Sequence, residues 1–439
     1  MGRILLAAAL GLAGPLAAQT SFTIYSDGRV LVRRTAAVAI PSGTSSHRLA
    51  IGLLEPGSLF GLDSGVAVVG ASYDAAVDEG NTMRRAVGRE LRFLVPRGST
   101  ADTVSAAVIG VNPERFRLSD GRIVFQRPGI PLYPAELVLL EPTLSLTVRS
   151  GAAKPSLRLG YFTQGASWQA SYSAVLGRTV AQVSSQASIP SVTLREAQAE
   201  VQLLAGSVGR AGGMPGPPSP MAFRAQAAEM AQGPAEEQGV GEAHLYTIPG
   251  RVTLEPGVTA SVALFDPASA PWERAYVVRG QLNYYGPLQQ VGTEPNQVPV
   301  EVWYTLKRTP LTPFGELPLP GGTWRLYQAD AGGRLQLIGE SSAGHTAPGT
   351  DIRLSAGSAF DLTATRVQLT YSTRRDSLRT VATADYRVTI TSAKDSAVTV
   401  EVLEERGGEW SVLQSSVPAE MQISEMRYGD RSHHTTLTR

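Results

Sequence analysis

Residues 165–174 read Gly165-Ala166-Ser167-Trp168-Gln169-Ala170-Ser171-Tyr172-Ser173-Ala174. Trp168, Ala170, Tyr172 and Ala174 share one parity; Ser167, Gln169, Ser171 and Ser173 share the other. Side chains of an extended chain alternate between faces, so this spacing predicts a strand with one buried and one wet face. Residues 196–203 (EAQAEVQL) repeat the pattern, with Ala197, Ala199, Val201 and Leu203 expected inward.

The same grammar extends in both directions. Short apolar runs at 22–32, 36–40 and 49–54 are separated by turn residues, and Pro-Gly pairs recur at 56–57, 128–129, 256–257, 320–321 and 348–349. Proline fixes φ and glycine permits φ > 0, so each pair turns the chain sharply. With 29 Pro and 45 Gly along 439 residues, long helices have little room. The expected fold class is all-β: an N-terminal β domain, then a β-sandwich-type C-terminal region with a disordered insert.

Two similar units, Val38-x-Ile40 with Leu49-x-Ile51 and Val252-x-Leu254 with Val262-x-Leu264, are read as β-hairpins. Residues 88–135 read as a compact hairpin set, with strands at 90–95, 103–111 and 122–125 and the Asp120-Gly121 turn before the last. Ser150-Gly151 marks the boundary between an N-terminal domain, 19–150, and a second region, 151–439. The sharpest break in composition is 205–242, whose 206–220 half is rich in Gly, Pro and Ser and is expected to be disordered. Residues 221–232 (MAFRAQAAEMAQ) have the composition of a short helix, marginal by itself. The segment reads as an insertion joining two strands of one domain, or as an exposed partner-binding arm.

The first eighteen residues have the build of a secretory signal peptide: Arg3, an uncharged apolar run from Ile4 to Leu12, and Leu16-Ala17-Ala18 before Gln19. Cleavage after Ala18 would leave about 420 residues outside the cytoplasm, periplasmic or secreted. The chain has no cysteine, so disulfides, thiolate catalysis, iron–sulfur clusters and an N-terminal lipidated cysteine are excluded. A soluble mature protein is expected, with no integral membrane segment after signal removal. A net charge of +1 gives no general field for nucleic acid, and none is expected as a partner.

Taken in order, five blocks resemble the mucoidy-inhibitor-A-like family, and in particular its C-terminal domain of unknown function, found in secreted bacterial proteins. They are LGYFTQGASWQASY at 159–172, LYTIPGRVTLEPGVTASVALFD at 245–266 and APWERAYVV at 270–278. LPLPGGTWRLYQADAGGRLQLIGE at 317–340 and GHTAPGTDIRLSAGSAFDLTATR at 344–366 complete the set. FTIYSDGRVLVRR at 22–34 is similar to the opening of such proteins. The resemblance implies an all-β C-terminal region after a β-rich N-terminal domain, with no established enzymatic activity. The chain departs from the family in lacking a heptad run between the two regions. It also ends in the polar tail 424–439 where relatives have another apolar strand.

Chemistry-bearing residues form no committed set. No catalytic, cofactor-binding or metal-ligating residue is assigned, and no cofactor is expected. His47, His244 and His345 are isolated, and the adjacent His433 and His434 point opposite ways on an extended chain. Ser341 in GESSAG and Ser64 in GLDSG lack the setting of a nucleophile elbow. Glu236-Glu237 and Glu401, Glu404 and Glu405 read as solvated charges. Trp168, Trp272, Trp303, Trp324 and Trp410 read as core, with a sugar platform as the alternative.

The expected function is non-enzymatic binding or scaffolding at the bacterial cell envelope, towards an envelope protein or polysaccharide. The alternative is a carbohydrate-active or other hydrolase whose acidic residues converge in the fold. At the C-terminus, 386–390 and 398–403 are expected to pair across the Lys394-Asp395-Ser396 turn, with 410–413 as a third strand. A disordered tail at 424–439 would leave an edge open for a strand from a second copy or partner, giving a homo-oligomer.

Overall fold

The computed structural model describes residues 20–98, 100–206, 208–209, 233–280, 290–375, 380–407, 411–416, 419–425 and 431–437. The fold is all-β. Trp168, Ala170, Tyr172 and Ala174 are buried as their parity requires. The Gln169–Leu176 strand they introduce lies antiparallel to Val180–Pro190 and parallel to Gly322–Ala329, which places Tyr172 beside Trp324. Their rings stack with centroids 4.3 Å apart, and the Tyr172 hydroxyl donates to the Pro320 carbonyl at 2.8 Å.

This sheet continues from Val180–Pro190 to Ala268–Arg279, then Val300–Leu306, then Ile352–Ser358. At its other end, Gly322–Ala329 pairs with Leu335–Ala343. The two ends meet: a Cβ on Gly339 would sit 2.6 Å from the Cβ of Ala356, so only a glycine lets them close this tightly. A second sheet contains Glu236–Val240, Ala243–Thr247, Glu196–Ala205, Thr20–Tyr25, Arg29–Ala36 and Leu157–Gln164 in that order. A third sets Thr143–Ser150 between Gly43–Ala50 and Val66–Asp74. Together they enclose one continuous core that includes Ile24, Leu146, Tyr161, Trp168, Leu203 and Leu354.

Three smaller cores flank it, the least of them made by Leu204, Ala243 and Leu245. Residues 90–132 form a five-stranded antiparallel sheet with its own core of Leu91, Phe93, Ala106, Val108 and Phe116. The helix Glu79–Arg85 covers this core with Met83, and its Asp78 cap accepts the Asn81 N–H at 2.9 Å. The third core joins Tyr276, Val278, Val300 and Val402 to Leu362 and Ala364, between the end of the large sheet and a sheet of Asn296–Val298, Leu362–Arg375 and Thr380–Ser392.

Several expectations are corrected by the pairing. The 150/151 boundary does not interrupt the structure, because Thr20–Tyr25 pairs in parallel with Glu196–Ala205 and Arg29–Ala36 pairs with Leu157–Gln164. The two repeated units are not hairpins. Ile40 bridges to Lys154, whereas Gly43–Ala50 pairs with Thr143–Ser150. Val252–Leu254 joins Glu196–Ala205, whereas Thr259–Val262 joins Val180–Pro190. The Pro-Gly turn between them is a corner from one sheet to another. Within 196–203 the alternation slips: Gln198 has φ 57° and the register shifts there, so Ala197 points outward.

Of the expected disordered insert 205–242, Glu236–Val240 is a strand paired with Ala243–Thr247. Residues 207 and 210–232, including the expected helix, lie outside the described residues, as do 1–19. At the C-terminus Thr380–Ser392 pairs with Leu362–Arg375, not with Val400–Gly407, which lies between Ala268–Arg279 and Arg431–Leu437. Residues 411–413 form no strand and Trp410 lies outside the described residues. The polar tail is paired, since Arg431–Leu437 hydrogen-bonds to both Val400–Gly407 and Ala419–Glu425. Polar side chains do not prevent a ladder that backbone groups make between already extended neighbours.

Candidate functional site

Leu362–Arg375 carries Leu362, Ala364, Arg366 and Gln368 on one parity, and all four are buried. The first two feed the third core; the next two put a guanidinium and an amide on the same face. Glu404, on Val400–Gly407, meets the guanidinium with both oxygens: Arg366 Nε donates to Oε1 at 2.7 Å and Nη2 to Oε2 at 3.0 Å. A forked pair of this kind fixes both planes. The Tyr386 ring lies against the guanidinium, its centroid 3.9 Å away. Gln368 completes the floor, its Oε1 accepting the Val291 N–H at 2.7 Å and its Nε2 donating to the Tyr386 hydroxyl at 2.9 Å. At Gly280 a Cβ would fall 2.3 Å from Glu404 Oε2, so the missing side chain makes room for the carboxylate.

Over this floor opens a cleft of about 320 Å³ walled by Val291, Gly292, Glu294, Asn296 and Val298. Asn296 stands directly opposite Arg366 in the adjacent strand. The floor is saturated internally, while the exposed Glu294 and Asn296 side chains offer a carboxylate and an amide to the cleft. The charge of the floor is neutralised from within, and the wall adds one exposed carboxylate and one exposed amide. Such a surface suits a hydroxyl-rich or amide-bearing ligand. A second cleft, about 370 Å³, lies over Thr20, Arg34, Arg48 and Glu196, with Arg34 ion-paired to Glu196.

The residues singled out in sequence are dispersed. His47 Nε2 meets Ser45 Oγ at 2.8 Å, His244 Nδ1 meets Glu237 Oε1 at 2.8 Å, and His345 Nδ1 accepts the Gly321 N–H at 3.1 Å. Ser341 lies within the Leu335–Ala343 strand and the neighbouring Glu340 pairs with Arg325. Asp63 in the GLDSG turn binds Arg158 at 2.7 Å. Among the described residues no group of three or more His, Asp or Glu side chains is placed to hold a metal ion. Trp168 and Trp324 are core. Trp303 is half-buried, with its Nε1 donating to Glu301 Oε2 at 2.8 Å and Arg353 set 5.0 Å from its ring. Glu404, expected to be solvated, is instead the partner of a buried arginine.

Six carboxyl groups have displaced pKa values, all in one direction. Asp74, Asp78, Glu114, Asp120, Asp330 and Asp351 are all held below their ordinary values. The leading cause is a hydrogen bond in most: the Arg127 side chain for Glu114, the Arg334 N–H for Asp330. At Asp351 burial pushes upward, but the Arg308 N–H and the Lys307 ammonium outweigh it.

Arg366 and Gln368 were missed in sequence although a signal existed, because both occupy the buried parity of the Leu362-x-Ala364 run. A charge on an apolar parity predicts a partner, and here the partner lies 38 residues away in Glu404. No protein-family model matches the chain, nor does any curated protein or solved structure.

Proposed function

We propose that the protein is a non-enzymatic, extracytoplasmic binding or scaffolding protein of the bacterial cell envelope, in keeping with its resemblance to the mucoidy-inhibitor-A-like family. The cleft over Arg366 and Gln368 carries this reading. Its floor is locked by the Glu404 fork and the Tyr386 and Val291 hydrogen bonds, so a ligand meets prearranged groups. Glu294 and Asn296 on its wall are placed to hydrogen-bond hydroxyls, which favours an envelope polysaccharide. Calorimetric titration with purified envelope polysaccharide tests it. Wild type should bind, and Asn296→Ala combined with Glu294→Ala should weaken binding about tenfold or more, at about 1 kcal/mol per lost hydrogen bond. Equal binding by wild type and variant, or none by either, removes the cleft as the site.

A further inference from the structure

The outer strand Thr380–Ser392 is 13 residues long and pairs with Leu362–Arg375, with one register shift between Gln368 and Thr370 whose extra residue, Leu369, belongs to the inner strand. Among the described residues no strand pairs with its other edge. It is longer than the other sheet margins among the described residues, of which Gly43–Ala50 has 8 residues in unbroken register. Glu236–Val240 has 5 residues and two glutamates, Ile130–Leu132 has 3 and a proline, and Val66–Asp74 is broken by a register shift. Leu335–Ala343 is backed by Ile352–Ser358 through the Gly339 contact. Short length, proline, charge and bulges are the usual guards against edge-to-edge pairing. Thr380–Ser392 (TVATADYRVTITS) contains no Pro, Gly or Lys, and Thr, Val and Ile dominate it.

We infer that this edge is an interface between two copies of the chain, joined antiparallel about a two-fold axis at Tyr386. Tyr386 is the midpoint of the strand, so this register pairs every residue from Thr380 opposite Ser392 to Ser392 opposite Thr380. It also sets Asp385 of each copy opposite Arg387 of the other, twice over. Moving the axis to either neighbouring residue puts Asp385 or Arg387 opposite a threonine. Asp385 and Arg387 are exposed on the same face, and Arg387 has no ion pair or hydrogen bond among the described residues. On the inner face the register places Ala382 opposite Ile390 and Ala384 opposite Val388, apolar against apolar. The Tyr386 side chain stays engaged with Arg366 and Gln368, because pairing uses only its backbone. Two three-stranded sheets become one of six strands, an isologous assembly of the commonest symmetry. The inference does not depend on what fills the cleft.

Sedimentation of the full chain over a dilution series, with single-thiol cross-linking, tests it. The chain lacks cysteine, so introduced thiols have no background. A mixture of Thr383→Cys and Thr389→Cys proteins should cross-link through a short reagent, while either alone should not. Arg387→Glu should raise the dimer Kd about tenfold by facing two carboxylates at each pair, and Asp385→Arg with Arg387→Glu should restore it. Arg387→Glu leaves the monomer fold untouched, since Arg387 is exposed and unpaired among the described residues, whereas the double variant also gives up the bond that Asp385 accepts from the Thr370 hydroxyl at 2.6 Å, so its thermal melt is recorded beside its Kd. A strictly monomeric wild type, a Kd unmoved by Arg387→Glu, or equal cross-linking of either protein alone would overturn the inference.

Discussion

Two buried arginines, one in the large core and one beside the smaller third core, solve the same problem by different means. Arg308 lies at 2% exposure in the large core and gives its donors to backbone: Nε and Nη2 to Phe314 O, Nη1 to Ala347 O, Nη2 also to Gly315 O and Leu317 O. Arg366, at 6%, gives its fork to one carboxylate and its face to Tyr386. The first arrangement nails a loop to the core and has no freedom left. The second can be rewritten by changing two side chains, and it borders a cleft. The contrast separates a group that holds the fold from a group that shapes a surface.

The largest effects should come from the large core. Arg308→Ala should cost about 3–5 kcal/mol in chemical denaturation, and Arg308→Met nearly as much, because the carbonyls it leaves cannot be mutated away. Trp168→Ala should cost about 3–5 kcal/mol, since it empties a buried site and frees the Leu204 carbonyl that accepts from Nε1 at 3.2 Å. If Arg308→Met were neutral, the two arginines would be equivalent and the comparison would fail.

Arg366→Ala should be milder, about 2–3 kcal/mol, chiefly from the stranded carboxylate of Glu404. The double change Arg366→Met with Glu404→Leu should recover stability to within about 1 kcal/mol of wild type. Failure of that recovery in the same denaturation assay would show that the pair, like Arg308, is fixed by its surroundings.

Smaller again is the alkaline response. Burial is the main cause that pushes Tyr172 and Tyr246 well above their ordinary value of 10.0, with hydroxyls donating to Pro320 and Pro318 at 2.8 Å. Tyr133, against the small core, is pushed up to about 12 by burial and then by its bond to Glu79. A raised pKa favours the protonated form in the folded state. The stability it contributes is therefore complete below pH 10 and lost as pH climbs beyond it. Thermal melts from pH 8 upward should fall above pH 10, and Tyr172→Phe should flatten the fall. The acid limb should be weakest. Asp351 and the other lowered carboxylates contribute stability above their unfolded values and lose it as pH falls below about 4, and most of them are solvent-screened.

What could be read in sequence was parity; what could not was partnership. Trp168, Tyr172 and Leu203 are buried because alternation reports which face a side chain takes. The Asp120-Gly121 turn joins Glu114–Leu118 to Ile123–Val124 because that turn chemistry is local. Val38–Ile51 and Val252–Leu264 show the same alternation, yet each sends its halves to distant strands. Pairing is chosen by burial against segments far along the chain, which no local window contains. The polar Arg431–Leu437 strand was missed for a related reason, since its ladder is made by backbone groups that carry no sequence signature. The cleft stood between these cases. Arg366 and Gln368 lie on a parity that was legible but passed over, and Glu404 and Tyr386 come from two other strands.

The parallel pairing of Thr20–Tyr25 with Glu196–Ala205 fixes an order of events. Phe22 and Val201 are register partners, so a chain that emerges amino end first keeps one side of its first strand empty until residue 205 has appeared. Arg29–Ala36 can zip onto the other side early, but the two-stranded piece so formed is only marginally stable alone. The large core therefore cannot close progressively from the amino end. Its completion waits on a contact of high sequence separation, the kind that slows folding and prolongs exposure of unpaired strands.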